Sequence, residues 1–230
     1  MDKEPNEPAA APDPETAPDP ETAPDPAAAP DPEPGDSPRP GRRVIVEVAQ
    51  TLLLTLVIFL VIQNVVAQPF KVEGQSMEMT FVEGDYVLVD RLTPRWSPYA
   101  RGQVVVLKAP ADWAERDEPF IKRVIGVAGD TVEVRDDGVV AVNGAVLDEP
   151  YLFRDEAGDT EPTFADDEST WVVGDGELFV MGDHRQASMD SRVFGPIPLD
   201  SVIGRGALRY WPLSSLGIVE SAAHDNVPVP

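Results

Sequence analysis

Three short stretches of this chain carry side chains able to act on a carbonyl. The first is Gly74-Gln75-Ser76-Met77, a serine in a glycine-containing turn. A hydroxyl there is ordinarily a turn residue, and it becomes a nucleophile only where a neighbouring group takes its proton. The second is Phe120-Ile121-Lys122-Arg123-Val124-Ile125-Gly126, a lysine inside an apolar, β-branched run. Alternation along a strand puts Phe120, Lys122 and Val124 on one face and Arg123 on the other. An amine between two apolar side chains loses hydration, which disfavours the ammonium and lowers its pKa toward the range where it accepts a proton. The third stretch, Gly182 to Arg192, reads GDHRQASMDSR. Its density of hydroxyls, carboxylates and guanidinium groups predicts a buried polar network.

Absent residue types narrow the options. The chain has no cysteine, which excludes thiol catalysis, thiolate metal sites and disulfides. Of its two histidines, His224 falls in a polar C-terminal stretch, so a Ser-His-Asp triad would have to use His184 with Asp183 or Asp190. That triad stands beside the Ser76 and Lys122 pair as an alternative. A formal net charge of −23 repels phosphate backbones and argues against nucleic acid as a partner. The carboxylates between 154 and 170 match no calcium-loop spacing, and neither a metal nor a cofactor is expected.

The elements that must position these residues are strands. Runs at 86–92, 103–109, 120–128, 131–136, 139–147 and 177–183 are short, β-branched and closed by Gly, Asp or Pro. They predict a mainly β domain over 68–220. Asn143-Gly144 between apolar stretches predicts a two-residue hairpin turn. The acidic, unpatterned stretch from about 154 to 170 reads as a flexible surface insertion or flap, and 221–230 as a C-terminal tail.

Ahead of the strands, residues 44–67 form an apolar run long enough to cross a membrane. It starts late and lacks an A-x-A site before Gln68, which disfavours a cleavable signal sequence. Arg42 and Arg43 precede it, and basic residues mark the cytoplasmic side. The expectation is one pass through the plasma membrane, in contact with the lipid bilayer, with the N-terminus cytoplasmic and the β domain extracytoplasmic. Residues 1–43 hold proline, Asp and Glu in an APDPET repeat and read as a disordered cytoplasmic tail.

From about Gln68 to Gly217 these residues resemble the bacterial type I signal peptidases, a family of serine-lysine proteases. The family's serine motif is matched by Val72-Glu73-Gly74-Gln75-Ser76-Met77-Glu78-Met79-Thr80-Phe81, and the next motif by Gly84 to Asp90. The lysine motif is matched by Lys122 to Asp130, and the last by Gly182 to Arg192. The resemblance implies a signal-peptidase-like β domain in which Ser76 attacks the scissile carbonyl and neutral Lys122 takes its proton. It further implies that Ser188 orients the lysine amine, that Asp190 and Arg192 pair to brace their loop, and that the Ser76 amide and the Gly74 backbone form the oxyanion hole. The implied substrates are signal peptides of exported preproteins, cut after a small residue.

A substrate strand added beside Phe70 to Gly74 would meet shallow pockets walled by Phe70, Val72, Met77, Phe81, Phe120 and Ile121, and a monomer is expected. Three positions depart from the family pattern. Met79 stands where proline is usual, His184 where asparagine is usual, and Val127-Ala128 where leucine-proline is common. Two other classes stay open. One is a different serine-lysine protease, such as the self-cleaving repressors, which carry an N-terminal DNA-binding helix pair. The other is an anchored β domain that binds a cell-surface partner without catalysis.

Overall fold

A computed structural model of the chain describes residues 40–61, 66–108 and 118–228. The proline-rich tail lies outside these residues up to position 39, as do positions 62–65 of the expected span. Helix α1 (Pro40–Val61) carries an apolar stretch, Arg43–Val61, of mean hydropathy 2.5 with none of it buried, and is long and apolar enough to cross a membrane. Proline suits the first helical position, where an N–H would lack a partner in any case. The expected end at 67 is overrun, because Ala67 already opens strand β1 (Ala67–Lys71). Val65-Val66-Ala67 is apolar, and a short apolar run reads equally as helix or strand.

The β domain contains two antiparallel sheets. The larger runs in the order β1, β2 (Tyr86–Asp90), β11 (Val202–Trp211), β3 (Val104–Lys108), β4 (Pro119–Val127), β9 (Glu177–Met181) and β10 (Ile197–Pro198), with β12 (Gly217–Ile218) paired to β11. The smaller is β7 (Ala145–Val146), β6 (Val140–Val142), β5 (Thr131–Val134) and β8 (Thr170–Val172). Each expected run contains an observed strand. The 139–147 run folds back at Asn143 (φ 52°) and Gly144 (φ 79°), pairing Val142 with Ala145 as a two-residue turn requires.

Strand β1 is an edge strand, and β4 lies four strand spacings away. In a flat sheet that is about 19 Å, beyond the reach of two side chains. The larger sheet instead curls around a buried cluster of Val72, Met77, Phe81, Val87, Val89, Val104, Val106 and Ile121. A second cluster, with Ile125, Phe179 and Met181 from the larger sheet and Val132, Val142 and Trp171 from the smaller, joins the two sheets. Val105, Leu107, Val124, Leu178, Val180 and Ile197 form a third. Strand β4 is therefore covered on both faces, with Ile121 through Gly126 all buried. This is why it reads as a continuous apolar run rather than an alternating one.

The C-terminal stretch through position 228 packs against the β domain. Val227 is 6% exposed within the second cluster, and His224 is 8% exposed. The Ala222 N–H donates to the Gly102 carbonyl at 3.2 Å, and Asn226 Nδ2 donates to the Val146 carbonyl at 2.7 Å. One valine anchor and paired backbone groups hold the strap in place.

The loop after β1 folds as a tight turn, with the Glu78 N–H donating to the Gln75 carbonyl and the Thr80 and Phe81 N–H groups to the Met77 carbonyl. Met79 sits at its outer side with φ 83°, a left-handed backbone that a side chain adopts at a cost of about 1–2 kcal/mol. Proline, fixed near −65°, cannot take this conformation. Met79→Pro is therefore expected to destabilise the protein by more than about 1 kcal/mol. Met79→Gly is expected to leave its stability unchanged or higher. Thermal unfolding of the detergent-solubilised protein checks both, and a Met79→Pro midpoint at or above that of the parent contradicts the backbone assignment.

Candidate active site

The curl of the sheet brings the loop after β1 against β4. Lys122 Nζ and Ser76 Oγ are joined by a 2.7 Å hydrogen bond. Lys122 is 3% exposed. It pairs across the sheet with Val105, and its amine lies 5.1 Å from the centre of the Phe120 ring. Burial pulls its pKa down from an ordinary 10.5 to about 8, against the upward pull of Asp190 and Asp183 and with a smaller downward push from Arg192. The arrangement presents a hydroxyl to an amine that sheds its proton in slightly alkaline water.

Beside the pair lies the polar network expected of the third stretch. Asp190 is fully buried and accepts from Arg192 Nε at 2.8 Å and Nη2 at 2.9 Å, from the Gly182 N–H at 3.0 Å, and from Ser188 Oγ at 2.7 Å. Burial acts to raise the Asp190 carboxyl, but Arg192 and the other donors hold it below the usual carboxylate range. The Ser188 hydroxyl is thus engaged with Asp190, and no hydrogen bond joins it to Lys122. Ser188 does lie next to the Ser76 backbone. A Cβ placed on Gly182 would stand 2.4 Å from Ser188 Oγ and 2.5 Å from the Ser76 carbonyl oxygen, so only glycine lets this stretch approach so closely.

On the opposite face of β4, Arg123 forms a second network that sequence reasoning did not assign to the site. Its Nε and Nη2 donate to Asp183 at 2.8 and 2.7 Å, its Nη1 donates to the Gly102 carbonyl at 2.7 Å, and its Nη2 also reaches Thr80 Oγ1 at 3.1 Å. The guanidinium lies over the Tyr151 ring, 4.0 Å from its centre. Thr80 belongs to the loop that carries Ser76, so Arg123 ties that loop to β4 from behind. The signal available in the sequence was the alternation that sends Arg123 away from Lys122.

The histidine alternative has no geometry. His184 Nδ1 lies 3.1 Å from Glu78 Oε2 and Nε2 lies 3.4 Å from Glu161 Oε2, while Ser76 Oγ is bonded to Lys122. Asp183 is held by Arg123 and Asp190 by Arg192. His224 packs edge-on to Tyr151, 6.1 Å between ring centres.

Gly74 lies on the exposed surface two residues before the serine with φ 78°, a backbone shape that favours glycine and presents main-chain groups only. Of the six residues expected to wall substrate pockets, Val72, Met77, Phe81 and Ile121 belong to the buried cluster inside the curl. Phe70 and Phe120 are half-buried and keep open surface. Among the described residues no group of three or more His, Asp or Glu side chains is placed to hold a metal ion.

Residues 45–211 match a protein family described as signal peptidase, peptidase S26. Signal peptidase IB of Staphylococcus aureus strain Mu50 is 35% identical over 169 residues, which cover 69% of this chain and 85% of that protein. Thylakoidal processing peptidase 1, chloroplastic, of Arabidopsis thaliana is 31% identical over 186 residues, 78% of this chain and 52% of that one. A crystal structure of a signal peptidase I from Enterococcus faecalis V583 is 30% identical and covers 47% of this chain and 97% of that chain, with a TM-score of 0.37. A family match spanning most of the sequence, joined to a 35%-identical relative covered along 85% of its length, shows that this chain belongs to the signal peptidases of the S26 family.

Proposed function

We propose that this peptidase removes N-terminal signal peptides from exported preproteins by a serine-lysine dyad, with Ser76 as nucleophile and Lys122 as general base. The observation that carries the reading is the 2.7 Å hydrogen bond between Ser76 Oγ and an amine that is 3% exposed and titrates near 8. Neutral Lys122 accepts the hydroxyl proton as Oγ attacks the scissile carbonyl, and the resulting ammonium returns a proton to the leaving amine. The Ser76 N–H and the Gly74 backbone are proposed to supply the donors for the developing oxyanion. Asp190 and Arg192 fix the stretch that carries Ser188 against the nucleophile.

Substrate is proposed to bind as an added strand along the free edge of β1, where main-chain hydrogen bonds supply affinity. The open surfaces of Phe70 and Phe120 then limit side-chain size and favour small residues at the cleavage site. Helix α1 anchors the enzyme in the plasma membrane with Arg42 and Arg43 on the cytoplasmic side, which puts the β domain outside the cytoplasm. Confinement of enzyme and signal peptide to one bilayer raises their encounter frequency.

Incubation of the detergent-solubilised protein with a preprotein tests the reading. Ser76→Ala and Lys122→Ala are each expected to lower the cleavage rate by about 10³-fold or more with folding retained. Cleavage unchanged in both variants overturns it and leaves an anchored binding domain. Because the amine must be neutral, kcat/KM is expected to rise with pH through a midpoint near 8 and then level off. A profile that falls over this range excludes a lysine base.

The same burial has a measurable effect on stability. The unfolded chain keeps the Lys122 proton up to about 10.5 and the folded chain only up to about 8, so stability rises with pH between these values. At pH 7 the shift disfavours folding by about 3 kcal/mol. Lys122→Met is expected to be inactive yet more stable at neutral pH, with the gain shrinking as the solution is taken from pH 8 toward 10.5. Denaturant unfolding of both proteins across that range reads the effect, and a pH-independent difference refutes it.

A further inference from the structure

We propose that His184 is a positioning residue for the nucleophile, clamping the segment from Glu149 to Thr163 onto the loop that carries Ser76. The inference rests on the reading of Ser76 as the attacking group. Four contacts converge on this one residue. Its backbone N–H donates to the Ser76 carbonyl at 3.0 Å, which fixes the peptide plane next to the nucleophile. Its Nδ1 faces Glu78, two residues beyond Ser76, at 3.1 Å. Its Nε2 lies 3.4 Å from Glu161 Oε2, a buried oxygen with no hydrogen-bond partner, and its ring stacks on Phe153 with centres 3.9 Å apart and planes 10° from parallel. One imidazole thus touches the nucleophile's loop on one side and the acidic segment on the other.

The segment is itself tied down, so it can serve as an anchor. The Thr163 N–H donates to the Gly138 carbonyl at 2.9 Å, and Thr163 Oγ1 accepts from Arg185 Nη1 at 2.7 Å. Arg185, buried, also pairs with Glu149 and donates to the Gly182 carbonyl. The Phe153 N–H donates to the Asp183 carbonyl at 3.1 Å. These bonds hold the segment at Glu149, Phe153 and Thr163, on either side of its exposed stretch from 154 to 160.

The nucleophile's loop needs such a support. Inside the curl it is gripped by Met77 and Phe81, but its outer side carries exposed Gly74 and exposed Met79, both with left-handed backbone. A side chain at 184 without a ring could not stack on Phe153. A displacement of the nucleophile by about 1 Å can cost as much as 10²-fold in rate, so a brace here acts on turnover.

The test uses full-length protein in detergent, a signal-peptide substrate, and the variants His184→Ala, His184→Gln, His184→Phe and Glu161→Gln. His184→Ala is expected to lower kcat about tenfold or more while KM stays within about twofold and the pH midpoint stays at the parent value, because Lys122 is untouched. His184→Gln, which keeps a bond to one carboxylate, is expected to recover part of kcat. His184→Phe, which keeps only the stack, is expected to recover less. Glu161→Gln is expected to show a smaller loss in kcat, and a double-mutant cycle between positions 184 and 161 to be non-additive.

Parental kcat in both His184→Ala and Glu161→Gln overturns the clamp, as does a loss confined to KM or full recovery by His184→Phe. If His184→Ala does not fold, His184→Gln and Glu161→Gln decide by the same criteria. Ser76→Ala measured alongside separates the two ideas. Retained cleavage in Ser76→Ala defeats the nucleophile assignment, whereas abolished cleavage there with parental His184 variants defeats the clamp alone.

Discussion

Moving an ammonium out of water into a protein interior costs several kcal/mol unless something compensates it, and the cost falls on the charged form alone. Lys122, 3% exposed between strands and beside the Phe120 ring, meets this condition and titrates near 8. Bare carboxylates close by would undo the effect by favouring the charged amine. Asp183 and Asp190 are near enough to pull upward, but each is engaged by a guanidinium, Asp183 by Arg123 and Asp190 by Arg192. The amine therefore faces two neutralised pairs in place of two free anions, and burial prevails.

Strand geometry makes this arrangement compact. Consecutive residues point to opposite faces, so Lys122 and Arg123 serve the same loop from two sides. Lys122 meets the Ser76 hydroxyl, and Arg123 reaches Thr80, four residues further along. The loop is located by a bond at Ser76 and a bond at Thr80, with Met77 between them and Phe81 just beyond pressed into the core. None of this is available to a flat sheet, in which β1 and β4 lie too far apart. Curling the sheet around its valine-rich interior is the step that turns a distant serine and lysine into neighbours.

What could be read in advance divides along physical lines. The strands holding the motifs were legible because β-branched runs bounded by turn residues are local signals, and so was the Asn143-Gly144 hairpin. Strand β11 was not. Its sequence VIGRGALRYW holds two glycines and two arginines, and its place between β2 and β3 rests on backbone proximity: a Cβ on Gly204 would stand 2.4 Å from the Asp90 carbonyl oxygen. Such approaches join residues more than a hundred positions apart and leave no periodic trace. The docking of the C-terminal strap was hidden for a related reason, since it depends on one valine and a few carbonyl acceptors distributed over the domain. Lys122 and Ser76 were legible as chemistry, but the engagement of Ser188 with Asp190 rather than with the lysine is a matter of side-chain rotation that residue spacing does not encode.

The buried arginines account for how such a site keeps its shape. A buried ion pair adds little net stability, because desolvation offsets most of the attraction, and apolar residues of equal volume would often hold the fold as well. A guanidinium differs from an apolar filler in direction, since its donors lie in one rigid plane and must each find an acceptor. Arg123 joins Gly102, Thr80 and Asp183, and Arg185 joins Glu149, Thr163 and Gly182. Arg192 joins Asp190, Phe164 and the Arg185 and Ser188 carbonyls. Arg123 reaches three segments distant in sequence and Arg185 reaches two, and a small rotation of any one segment would leave a buried donor unpaired at a cost of about 1–3 kcal/mol. A loop with left-handed residues on its outer side has little rigidity of its own, and these fixed planes supply it from the surrounding scaffold. Ser76 Oγ is held within hydrogen-bonding distance of Lys122 Nζ by this scaffold.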